Sequence, residues 1–97
     1  MRAADLHEGM HLVLRSTLTT DLLSMKRVAT TDHRVMVVGP AVRFNNAMQE
    51  YLQCDALDLN LLGHTHVVPL LFDDGRYFRV AVTIDSRPWH STFVELN

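Results

Sequence analysis

The sequence predicts a small α+β domain: a curled antiparallel sheet, or partly open barrel, of about five strands with one short helix. Three observations predict it. Asp73-Asp74-Gly75 is a tight-turn signal between a strand-like run, His66 to Phe72, and a return in which Phe78, Val80, Val82 and Ile84 alternate with Tyr77, Arg79, Ala81 and Thr83. An apolar run, His33 to Val38, is closed by Gly39-Pro40. Asn46, with Gln49 three residues on, has the pattern of a helix start. With 97 residues there is room for one core, so residues 1–97 are read as a single domain.

Taken in order, Met10 to Leu18 reads as a strand with Leu12, Leu14 and Leu18 on one face and His11, Arg15 and Thr17 on the other. Thr19-Thr20-Asp21 is a turn signal, and Leu22 to Ala29 fits either a short helical turn or a second strand. His33 to Val38 is apolar on both faces, the pattern of a central or doubly covered strand. After Asn46, the residues Ala47, Met48, Tyr51 and Leu52 form one helical stripe. Asp55 to Leu62 is expected to extend that helix or add a second turn, with Gly63 as its stop. His66–Phe72 and Arg76–Ile84 then make a hairpin. Ser86-Arg87-Pro88 interrupts the pattern before a last strand, Trp89 to Leu96.

Composition narrows the function. At 47% hydrophobic and 21% charged residues the chain is that of a folded domain. No apolar stretch reaches the roughly 18 residues that span a bilayer, so no membrane contact is expected. The N-terminus lacks the apolar core of a signal peptide. One cysteine, Cys54, excludes an internal disulfide and fits a cytoplasmic setting. It is expected in the core, with the neighbouring Asp55 keeping its thiol protonated. A net charge of −2 argues against a strongly basic nucleic-acid binder.

The stretch with the most chemical content is Gly63-His64-Thr65-His66. Histidines at i and i+2 share one side of an extended chain and could both reach one zinc ion. The segment Leu61–Pro69 resembles the terminal Gly-His-x-His ligand motif of the calcineurin-like metallophosphoesterases. That family's resemblance implies a two-metal hydrolase, but its companion motifs are missing here. Asp32-His33 is adjacent rather than spaced, and no Gly-Asp or Gly-Asn-His occurs. Two metals about 3.5–4 Å apart need more donors than remain, so hydrolysis is not expected. A single-metal site at His64 and His66 stays open, with His33, His90, Cys54 or Asp58 as further donors. The competing expectation places both histidines on the exposed face of a strand.

Two further patterns bear on partners. Gly75 to Val82 is similar to the basic, aromatic strand of RNA-recognition modules, with Arg76 and Arg79 as phosphate contacts. Tyr77 and Phe78 are neighbours, however, so they face opposite sides and form no common stacking platform. Asp5 to Leu14 resembles the first strand of small SH3-like or split barrels, including the flagellar-brake type, without that type's cyclic-dinucleotide motifs.

With no nucleotide-cradling loop and no acid–base pair, the sequence favours a non-enzymatic protein-interaction module without a cofactor. Its apolar residues, Met10, Met36, Met48 and the leucines at 22, 23, 57, 59, 61 and 62, exceed what one sheet face buries. A homo-oligomer or another protein would cover the excess. Small domains of this kind often act as accessory or inhibitory proteins in bacteria and phages. The candidate partner-binding residues are Trp89, Tyr77, Arg76 and Arg79. A ligand or metal site at His64 and His66 is the alternative, and single-stranded nucleic-acid binding through Arg76 and Arg79 a second.

Overall fold

The computed structural model describes residues 5–15, 18–20, 32–43, 53–58, 63–84 and 93–95. They form eight strands: β1 (His11–Arg15), β2 (Leu18–Thr19), β3 (Asp32–Val37), β4 (Val42–Arg43), β5 (Ala56–Asp58), β6 (His66–Phe72), β7 (Tyr77–Val82) and β8 (Phe93–Glu95). All belong to one sheet, ordered β2-β5-β7-β6-β3-β1-β8, with β4 paired to β6 off this path. Every pairing is antiparallel except β5 with β7.

The hairpin forms as its alternation predicts. Gly75 donates its N–H to the Phe72 carbonyl at 2.9 Å, and Phe72 donates to Arg76 at 2.8 Å. Gly75 sits at φ +88°, the left-handed position that this three-residue hairpin loop reserves for glycine. The other side of β6 is shared. Residues 70–72 pair with β3, and residues 66–67 pair with β4. Between them Val38 donates to the Pro69 carbonyl at 3.1 Å. A residue's N–H and C=O point to the same side of a strand, so the N–H that Pro69 lacks faces the Gly39-Pro40 break. That placement lets a proline sit within an interior strand.

β1 and β2 are separated by only two residues, yet they occupy the sixth and first places in the sheet. Five strand spacings would put them about 24 Å apart in a flat sheet, whereas three residues of chain reach about 10 Å. The sheet therefore curls round its core. The segment read as one strand, Met10 to Leu18, pairs with β3 and β8 through its first part and with β5 through its second. The ends of the path, β2 and β8, share no ladder, so the sheet is not closed.

Inward side chains alternate as the period-two pattern requires. Leu12, Leu14, Leu18, Val35, Val37, Val68, Leu70, Phe72, Val80, Val82 and Ile84 form one buried cluster with Leu6, Met10 and Ala56. Cys54, Leu57, Val67 and Ala81 form a second, smaller one on the opposite side of the sheet. Cys54 is buried there as expected, and burial, helped by Asp55, pushes its thiol above the ordinary value.

Two expectations change. Asp55 to Leu62 does not continue a helix through its described part: Ala56–Asp58 is strand β5, beside β7. The short stretch adds a strand where a helical stripe was equally readable. The strand count is also eight rather than about five, since two-residue ladders such as β2 and β4 leave no periodicity in the sequence. No complete helix falls among the described residues, and the helix expected after Asn46 lies outside them.

Candidate functional site

Outward side chains of the sheet fall into rows across the strands. One row is His11, Met36, Leu71 and Tyr77, set by the pairings His11↔Met36, Met36↔Leu71 and Leu71↔Tyr77. Met36 and Leu71 are half-buried and Tyr77 is 53% exposed. In the next row Val13 lies opposite Arg34, and the Arg34 carbonyl accepts the Asp73 N–H at 3.1 Å. On the other flank Pro69 lies opposite Arg79. Arg34, Met36, Leu71, Asp73 and His11 line an open depression of about 260 Å³. Alternation dictates this face: inward Val35, Val37, Leu70 and Phe72 leave Met36 and Leu71 no choice but the outside.

Charges frame it. The Arg79 guanidinium donates to both oxygens of Asp55 at 3.2 Å, and the Arg79 N–H donates to Asp55 at 2.9 Å. These bonds hold the Asp55 carboxyl below its usual range. Arg76 pairs with Asp74 at the hairpin tip and lies over Phe72 and Phe78, 5.7 and 5.5 Å from the ring centres. Arg15 pairs with Asp32 at 3.2 Å. Arg34 and Asp73 make no ion pair among the described residues.

A second depression, about 330 Å³, lies at this end of the strands and is lined by Asp32, His33, Arg34, Phe72, Asp73, Asp74 and Arg76. His33 meets Phe72 edge-on, with ring centres 5.5 Å apart, and its buried Nε2 has no hydrogen-bond partner. Burial, then the charge of Arg76, pulls its pKa below the ordinary imidazole value.

The opposite end of the strands holds the two histidines of the Gly-His-x-His motif. The expectation that they lie on an exposed strand face is overturned: His64 is 7% exposed and His66 4%. His64 donates from Nε2 to the Asp58 carbonyl at 2.6 Å, which fixes its tautomer because a carbonyl only accepts. Thr65 gives its hydroxyl proton to the Ile84 carbonyl, so at the 2.8 Å contact with Thr65 the proton belongs to His66 Nδ1. Burial lowers the His64 pKa, opposed by the Asp58 carbonyl. One nitrogen of each ring is thus spent on structure. No group of three His, Cys, Asp or Glu side chains placed to hold a metal occurs among the described residues.

Of the other residues singled out, Tyr77 and Arg79 share the outward face, whereas Phe78 packs against the core as its parity predicts. Trp89 and His90 lie outside the described residues. In the sequence Met36 stands out only as excess apolar surface and Asp73 only as a turn residue, and nothing there marks Arg34 or Leu71. Met36 and Leu71 are apolar at outward positions of two interior strands, and the strand register sets Arg34 and Asp73 beside them. No helix among the described residues is long and apolar enough to cross a membrane. Compared with known protein families, curated proteins and solved structures, the chain matches none.

Proposed function

We propose that the chain is a non-enzymatic protein-interaction module that docks through the outward sheet face. The observation that carries this reading is the row His11, Met36, Leu71 and Tyr77, which sets apolar side chains beside a tyrosine that is 53% exposed. Tyrosine on a rigid strand gives large contact area at low entropic cost, and it is enriched where interfaces concentrate their binding energy. The flanking ion pair Arg79–Asp55 supplies a polar rim. A reduced, buried Cys54 fits a cytoplasmic setting for this role. The test is affinity capture with the wild-type chain and with Tyr77→Glu as paired baits, both checked for folding. Proteins held by the wild type and lost by Tyr77→Glu support the reading. Identical capture by both baits overturns it.

A further inference from the structure

We infer that the outward face binds a second copy of this chain, face to face, with Arg34 of each subunit opposite Asp73 of the other. The inference rests on the interaction-module reading and names its partner. Its basis is the pattern of charge and apolar surface on four adjacent strands, β1, β3, β6 and β7. A two-fold axis parallel to the strands, set between β3 and β6, exchanges these two strands and exchanges β1 with β7. Because Met36 is paired with Leu71, the axis lays each Met36 over Leu71 of the partner subunit. It lays His11 over Tyr77 of the partner subunit, since both stand in the same row. One row further along, the Asp73 N–H to Arg34 carbonyl bond fixes these two residues as neighbours. The same operation therefore places each Arg34 against Asp73 of the partner subunit.

The face is thus complementary to itself: apolar on apolar, aromatic on imidazole, and cation on anion twice over. Such self-complementarity is what an isologous interface requires. Aligned sheets pack within about 30° of parallel, which keeps the rows in register near the axis. The other arginines of the outward face, Arg15 and Arg79, are each ion-paired within the subunit, as is Arg76 at the hairpin tip. Arg34 and Asp73 are the pair left for a partner among the described residues. Both line the depression beside Met36 and Leu71.

The test uses Arg34→Asp and Asp73→Arg, separately and mixed, with mass measured by light scattering from micromolar to millimolar protein. The wild type is expected to dimerise as concentration rises. Each single variant sets like charges face to face at two places and should weaken association tenfold or more. Mixing the two variants restores opposite charges at both places, so the mixture should dimerise although neither variant does alone. A purely intramolecular role for the pair predicts no such rescue. A monomeric wild type, single variants that dimerise like the wild type, or a mixture that stays monomeric would each overturn the inference. A monomeric wild type that still captures another protein through Tyr77 would overturn the second-copy assignment alone and leave the module reading standing.

Discussion

The Thr65 hydroxyl grips Ile84 through both backbone groups, accepting from its N–H at 3.0 Å and donating to its carbonyl at 3.1 Å. One side chain thereby completes the β6–β7 ladder beyond its last strand pair. Thr65→Val keeps the shape and leaves both backbone groups of Ile84 unserved, and His66 Nδ1 loses its acceptor. The expected loss is about 1–3 kcal/mol in urea denaturation. Thr65→Ser, which keeps the hydroxyl, should lose less.

Acid should destabilise the fold. His33 and His64 both have pKa values lowered in the folded state from the ordinary 6.5. Above 6.5 both are neutral in folded and unfolded chains, and their stabilising contribution is fully present. As pH falls below 6.5 the unfolded chain takes up protons first, and stability drops until the folded values are passed. Urea denaturation at several pH values from 7.5 down to 5 should show this slope. His64→Gln, which does not titrate and keeps an N–H for the Asp58 carbonyl, should flatten it. A slope unchanged in that variant would remove His64 as a cause.

Metal removal should do nothing to stability. His64 and His66 are held by different acceptors and no three-donor group stands near them among the described residues. The melting temperature should be the same with and without chelator. A chelator-induced drop that His64→Ala abolishes would restore the metal reading.

Core and surface should separate cleanly under truncation. Leu70 is fully buried between Val37 and Phe78, so Leu70→Ala should cost about 2–5 kcal/mol. Val42 is 48% exposed, so Val42→Ala should stay within about 0.5 kcal/mol. Gly39→Ala is the less obvious case. A Cβ there would stand 2.9 Å from the Pro69 ring, which cannot swing aside, so this small change should destabilise more than Val42→Ala.

Much of the sheet was legible where its cause is local. The turn residues Asp73-Asp74-Gly75 and the alternation after them marked the hairpin, and the parity of Tyr77 and Phe78 placed one outside and one against the core. Gly39-Pro40 marked the end of β3. Other features depend on partners distant in sequence. Ala56-Leu57-Asp58 is a strand because β2 and β7 flank it, and three residues are too few to show a period. The burial of His64 follows from the Asp58 carbonyl, a backbone group that no motif records. The outward row needs the register of four strands before His11, Met36, Leu71 and Tyr77 become neighbours.

The closeness of β1 and β2 in sequence has a consequence for how the chain reaches this shape. That one stretch must find ladders at residues 32–36, 57–58 and 93–95, on strands met early, midway and late in synthesis. Contacts so far apart in sequence are the slow ones to form. A strand that precedes all of its partners in the chain is therefore among the last to be fully paired, and the fold should assemble in a single cooperative event rather than element by element.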